Sequence, residues 1–279
     1  MSVRTRRAKR AGQYAALAAY LVFLGFPLLW MLSTAFKGPR ELVELHPSLW
    51  PSHPTLDNFV TAFTSQDLVR SAWNSTRVAV AAAVLTVLVA LPSSYALARF
   101  RTRLGTIAIG WVLVSQLFPF ILLIIPLFVI LKRLSLANSL VGLVLVYVVW
   151  SLPFVLWMLQ SFVRSIPRDL EEAAAIDGAS RLQILRRVVA PLLAPGIVAS
   201  TLFAFVSAWN EFFFALVILQ DPEKATVPVT LARFVGIQGV VRLGPLAAGA
   251  FVATLPSLIV FGLLQRRLTS GILAGAVKG

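Results

Sequence analysis

The chain has 279 residues, 58% hydrophobic and only 13% charged, with 25 Lys and Arg against 11 Asp and Glu for a net charge of +14. Its mean hydropathy is +0.85, and its charge share is about half the ~25% usual for soluble domains, which excludes a disordered chain, a nucleic-acid-binding domain and an ordinary soluble enzyme. The absence of cysteine, and of any histidine beyond His46 and His53 in one polar segment, excludes disulfides, thiolate chemistry, iron–sulfur clusters, cysteine-based zinc sites and a histidine triad.

A helix needs ~20 mostly apolar residues to cross the hydrocarbon core of a bilayer. Six stretches qualify in chain order: Gln13–Phe36, Val78–Ala98, Thr106–Leu131, Leu140–Phe162, Gly196–Leu219 and Leu246–Leu264. They predict an all-α integral membrane fold of six transmembrane helices. Residues 1–12 form a basic tail, 13–265 the membrane domain and 266–279 a C-terminal tail. Pro119, Pro126 and Pro153 fall inside spans, where they predict kinks. The basic flank of the first span resembles that of a signal peptide, but the apolar stretch is too long and no A-x-A site follows, so it reads as an uncleaved anchor.

Basic residues set the orientation. The N-terminal cluster, Arg99 to Arg103, Arg164 to Arg187 and the C-terminal group lie on one side and outnumber those on the other, which places both termini in the cytoplasm. The first outer loop, about Lys37–Arg77, is long and rich in X-Pro pairs, with short helical pieces expected at Asn58–Phe63 and Leu68–Trp73. Asn74-Ser75-Thr76 fits a glycosylation sequon, though a match so short is weak. Nothing cradles a nucleotide phosphate or matches a zinc-protease helix. Glu211 is the one candidate for an intramembrane ionisable group, too few for a proton relay.

The loop 164–193 between spans four and five reads as two short helices around a glycine. Pro167 suits a first helical position, Asp169, Glu171 and Glu172 favour the positive dipole end, and Gly178 permits the left-handed turn that ends a helix. Leu170, Ala173, Ala174 and Asp177 share a face by spacing. Ser180 caps the second helix, whose last turn holds Arg186 and Arg187 ahead of Pro191.

The pattern Glu172-Ala173-Ala174, three residues, Gly178, nine residues, Val188-x-Ala190-Pro191 resembles the EAA signature of ATP-binding-cassette importer permeases, written E-A-A-x3-G-x9-I-x-L-P. Val188 replaces Ile and Ala190 replaces Leu, both conservatively, and Asp177 and Ala179 extend the match. Tyr95-Ala-Leu-Ala-Arg99-Phe100, Gln116-Leu-Phe-Pro119, Ile125-Pro126, Leu152-Pro153-Phe154, Trp209-Asn210-Glu211-Phe212 and the Gly271–Gly279 tail are similar to the smaller permease of maltose-type carbohydrate importers.

The resemblance implies one permease subunit of a heterodimeric pair, two copies of a cytoplasmic ATPase beneath it and an external solute-binding protein, with ATP and Mg on the ATPases and no cofactor, catalytic site or metal in this chain. It implies no nucleic-acid partner, and a bacterial or archaeal cytoplasmic membrane. Carried over residue by residue, Glu172, Ala173, Ala174, Asp177, Gly178 and Ala179 contact the ATPase, and Gly275, Ala276, Val277, Lys278 and Gly279 reach into the ATPase dimer. Glu171, Arg186 and Arg187 read as a solvated helix face. Trp209, Asn210 and Gln116 are candidates for the solute pathway, an amide for hydroxyls beside an indole for a sugar face. An interhelical hydrogen bond is the alternative for these and for Gln160. The cargo reads as a sugar or oligosaccharide. Glycerol phosphate and its diesters are the alternative cargo, and an ATP-independent secondary transporter or channel is the alternative class.

Overall fold

Long apolar runs with few breakers make long helices, and in the computed structural model, which describes residues 3–100, 102–236 and 241–276, helices dominate. They are α1 (Val3–Ala35), α2 (Asp57–Ser65), α3 (Leu68–Arg99), α4 (Arg103–Ser115), α5 (Phe120–Arg133), α6 (Leu140–Ser165), α7 (Asp169–Ile176), α8 (Arg181–Ile184), α9 (Ala190–Leu192), α10 (Ala194–Trp209), α11 (Phe213–Ile218), α12 (Val227–Ala232) and α13 (Leu243–Ala276). Among the described residues, four helical stretches are long and apolar enough to cross a membrane: Gly12–Ala35, Leu68–Arg99, Leu140–Ser165 and Leu243–Gln265. A bent pair, Arg181–Leu192 with Ala194–Trp209, makes up to five.

Three expected spans take a different form. The third is divided between α4 and α5 at residues 116–119, because Pro119 has no N–H to donate and biases Phe118 away from the helix. The second begins ten residues early and absorbs the expected short piece at Leu68–Trp73, since no residue from 68 to 78 breaks a helix. The fifth ends as a helix at Trp209 and restarts at Phe213.

The chain divides into two compact units. The first comprises residues 1–68 and 230–255. Here the buried Asn58 on α2 donates its amide to Ala35 O at 3.0 Å and Lys37 O at 2.7 Å, satisfying carbonyls at and just past the end of α1. In the following loop the Lys37 ammonium bonds Ser48 O and the Ser33 hydroxyl bonds Leu49 O. Glu41 accepts from the Ser48 hydroxyl at 2.8 Å and the Ser52 N–H at 3.0 Å. Desolvation pushes the Glu41 carboxyl up, but these donors and the charges of Lys37 and His53 outweigh it and hold the group below its usual range.

Gly244 packs so closely on the Asn58 amide that a Cβ there would overlap it. The amide is pinned by both its bonds and cannot yield. Gly244→Ala should therefore cost ~1–3 kcal/mol of stability, that of a buried polar group left without its partner, read as a lower thermal unfolding midpoint of the purified chain. Gly38→Ala, in open space, should leave it unchanged.

The second unit comprises residues 69–229 and 256–279. Its spine is α6 against α10, with Gly196 flush on the Phe162 ring and Phe154 on Phe203 at 4.0 Å between ring centres. Thr86 and Ser151 hydroxyls join α3 to α6 at 3.1 Å. At one end, Tyr95, Val163, Ile166, Ile184, Leu185, Val189 and Leu193 form an apolar cluster. At the other, polar side chains staple residues 218–227. Asn74 donates to Glu223 O and Ala225 O, Ser75 accepts from Val227 N, and Asn138 accepts from Gln220 N and Asp221 N. Asn74 is fully engaged and buried, a structural amide inside a helix.

Candidate functional site

The loop after α6 is built by its caps. α7 carries Asp169, Glu171 and Glu172 in its first turn, at the positive dipole end. Pro167 stands two residues ahead of α7 rather than at its first position, and Arg168 is the N-cap, its carbonyl accepting from Glu171 N and Glu172 N. The end of α7 is a Schellman motif: Gly178 N bonds Ala175 O at 3.1 Å and Ala179 N bonds Ala174 O at 3.0 Å, with Gly178 at φ +83°. Ser180 and Gln183 then form a reciprocal capping box that starts α8.

The second helix does not stop near Arg187. It runs on through a π-helical turn, Leu185–Val189, and α9 to Leu192. Ala190 N reaches back to Leu185 O, and Pro191 next to it has no N–H to contribute. Arg186 and Arg187 are accordingly mid-element, on its exposed face. The chain turns through 79° into α10. The loop thus forms one framework with a membrane helix.

The faces of α7 differ from the expectation. The buried residue is Glu171, 5% exposed, with Ala174 half-buried three positions on, while Leu170 is exposed. Glu171 Oε1 accepts from Arg99 Nε at 2.6 Å, and its Oε2 accepts from the Tyr95 hydroxyl at 2.8 Å. Arg99 also donates to Ile166 O at 2.8 Å. Glu171 is thus no solvated face residue. Tyr95 and Arg99, one turn apart at the end of α3, are its partners. That i, i+4 spacing was the one available sequence signal.

Glu172, Ala173, Asp177 and Gly178 are exposed, and Ala174 and Ala179 are half-buried. Leu170 and Ile176 of the same helix are exposed with them, Ile176 at 87%, as is Leu182 on α8. Four of the six signature residues expected at the ATPase contact thus face outward, two of them carboxylates. A cavity of about 310 Å³, lined by Arg99, Phe100, Arg168, Glu171, Glu172, Ala175 and Arg181, opens beside them.

The second candidate region is the interruption at 210–212. Glu211 caps α11: its carboxylate accepts from Phe214 N at 3.0 Å and 3.1 Å, Ala215 N at 3.2 Å and the Tyr147 hydroxyl at 2.9 Å. Phe120, the first residue of α5 after the other interruption, meets Phe213 at 5.7 Å, Phe214 at 6.2 Å and Trp150 at 5.5 Å. The two broken helices therefore join through one aromatic cluster. Trp209 is 3% exposed and stacks on Phe205, whereas Asn210 and Gln116 are exposed, so Trp209 and Asn210 do not share an open face. Asn210 spends one N–H on Val206 O at 2.8 Å. Gln160 is buried, its amide nitrogen unpartnered. Phe213 and Trp150, both partly exposed, are the rings of this cluster that sequence reading missed.

Gly275 and Ala276 end α13, while Val277, Lys278 and Gly279 lie outside the described residues. Among the described residues no acidic or histidine cluster could hold a metal ion.

A multi-pass helical membrane chain with a capped two-helix loop bearing the EAA residues is a transport permease subunit. The chain belongs to the family described as binding-protein-dependent transport system inner membrane component, which matches residues 84–273. It is 60% identical over 82% of its length, and 99% of the relative's, to the putative ABC transporter permease protein ORF1 of Streptomyces antibioticus. It is 39% identical over 94% of its length, and 95% of the relative's, to the diacetylchitobiose uptake system permease protein DasC of Streptomyces coelicolor. A bacterial ABC transporter involved in import of the acidic polysaccharide alginate shares the fold, with a TM-score of 0.80 at 22% identity over 95% of this chain and 98% of that one.

Proposed function

We propose that this permease subunit forms half of the pathway of an ATP-driven importer for a neutral sugar or oligosaccharide. An ATPase docks on α7 and the Gly178 turn, both termini lie in the cytoplasm, a second and different permease completes the pore, and an external binding protein delivers the solute. ATP and Mg act on the ATPase subunits. The tail from Gly275 onward contacts the same ATPases.

The observation that carries the coupling role is the division of α7 into two faces, Glu171 turned into the chain's own bundle and Glu172, Ala173 and Asp177 turned out. Small residues let a partner backbone approach closely, and the free carboxylates can meet basic groups on it. Rigid attachment to α10 lets a movement of the loop tilt a membrane helix.

The sugar reading draws on the cluster at the two helix interruptions and on the uptake named for DasC. Irregular backbone at membrane depth is tolerated where it is buried in protein or lines a watery cavity. At about 1.5 Å per residue, α4 and α10 place Gln116 and Asn210 roughly 20–24 Å from the loop-side ends of their helices, a comparable depth. Aromatic faces with neutral amides suit sugar hydroxyls and ring faces. A phosphate ester would call for a cation, and α5, α6, α10 and α11 carry Lys or Arg only near the last residues of α5 and α6.

The test is purification through a tag on this chain, with uptake into membrane vesicles supplied with the co-purified binding protein. Recovery of an ATPase and a second permease, and uptake of a neutral sugar insensitive to excess glycerol phosphate, is the expected result. Asn210→Ala should raise the KM for uptake about fivefold, the equivalent of one hydrogen bond of ~1 kcal/mol, with ATPase recovery unchanged. A chain that purifies alone and transports in liposomes without ATP would overturn the reading.

A further inference from the structure

The loop 164–193 is fastened to three helices, but only two of the attachments are covalent: α6 enters it and α10 leaves it. The third is the Arg99–Glu171 pair, which joins positions 72 residues apart in sequence with side chains 8% and 7% exposed. We propose that this pair, closed by the Tyr95 hydroxyl, is the link that carries movement of α7 into α3, and that Tyr95, Arg99 and Glu171 are positioning residues for coupling. The inference rests on reading α7 as the helix on which the ATPase docks.

Three features suit the pair to transmission. First, both carboxylate oxygens are held, one by each donor, so the plane of the carboxylate is fixed as well as its distance. Apolar neighbours such as Val163 and Ile184 can slide past one another, but a two-point charged grip resists both sliding and rotation. Second, Arg99 holds Ile166 O at the end of α6 with its other arm, so one guanidinium fixes the ends of two membrane helices and the start of α7. Third, the grip has a companion on the far side of the Gly178 turn. Arg181, which opens α8, lies over the Phe100 ring at 5.8 Å, and Phe100 meets Tyr95 edge-on at 6.3 Å. Both helices of the loop therefore hold the end of α3.

A buried ion pair is a poor device for stability alone, because well-packed apolar residues of similar volume serve as well or better. Its presence on the inner face of a helix whose outer face is free points to a mechanical use. α7 has only eight residues, joined by short turns to α6 and to α8. The pair is what joins it to α3.

The test uses the complex purified through a tag on this chain and reconstituted with its binding protein, and reads solute transported per ATP hydrolysed. Glu171→Gln should leave ATPase recovery within twofold of wild type while transport per ATP falls at least tenfold. Tyr95→Phe, which removes one bond and keeps the ion pair, should lower the ratio about threefold. If the Glu171 variant fails to assemble, the Tyr95 variant decides by the same ratio. An assembled variant with an unchanged ratio overturns the link. Failure of the docking reading looks different: Glu172→Ala would leave ATPase recovery untouched, and the link would fall with it.

Discussion

Gly178→Val should cut the ATPase recovered with this chain about tenfold or more, while Gly178→Asn should keep most of it. Gly178 sits at φ +83°, in open space with nothing near its Cα that a side chain would strike. The effect of a substitution is therefore conformational and not steric crowding. The left-handed region costs an ordinary L-residue ~1–2 kcal/mol, and a β-branched residue is a true outlier there. Asparagine visits it at much lower cost.

The consequence reaches beyond one residue, because the two Schellman bonds, from Gly178 N and Ala179 N, fix the direction in which the chain leaves α7. That direction puts Ser180 where it can cap α8 with Gln183. A valine that refuses the conformation turns α8 relative to α7 and separates the exposed residues of the signature. Since ~1.4 kcal/mol is tenfold in affinity, a strain of this size alone accounts for the loss. Equal ATPase recovery with valine and asparagine would show that the turn geometry is irrelevant to docking.

Four of the six spans were legible because apolar runs of twenty residues have few other uses. The turn of the loop was legible for a different reason. A glycine after an acidic-started helix, then Ser180 ahead of the next one, is local chemistry, and local chemistry is written in adjacent positions. Glu171 was not legible. By periodicity in an eight-residue helix it reads as another charge on a wet face, and the residues that bury it are 72 and 76 positions away. Charge pairing across elements leaves no periodic trace. The interruptions were half legible: Pro119 is visible, but whether a membrane proline kinks or divides a span depends on what satisfies the freed carbonyls. At 210–212 there is no proline. The helix divides because Glu211 supplies a carboxylate to the first N–H groups of a new helix, a cap that a lone membrane acid does not announce.

That cap carries the second large expected effect. Glu211→Ala should lower both the thermal unfolding midpoint of the complex and the rate of uptake severely, and Tyr147→Phe should lower them mildly. Removing the carboxylate strips the partner from Phe214 N and Ala215 N, each at a cost of ~1–3 kcal/mol, and leaves the Tyr147 hydroxyl only the backbone carbonyl of residue 211 at 3.5 Å. Phe214 is fully buried and its ring meets both Phe120 and Trp150, so a loosened α11 disturbs the cluster that joins the two broken helices. Tyr147→Phe removes one hydrogen bond and leaves both backbone donors capped, an expected cost of ~1 kcal/mol. Glu211→Gln separates this role from proton handling. Its amide oxygen can still accept from a backbone N–H, so a structural cap predicts an intermediate loss of stability and uptake together. A proton-coupled carrier predicts abolished uptake with stability intact. Uptake lost in Glu211→Gln at an unchanged unfolding midpoint would therefore sink the capping role and reopen the ATP-independent alternative. Parallel falls in both, graded from phenylalanine at 147 through glutamine to alanine at 211, would fix Glu211 as the residue that holds the divided helix in place.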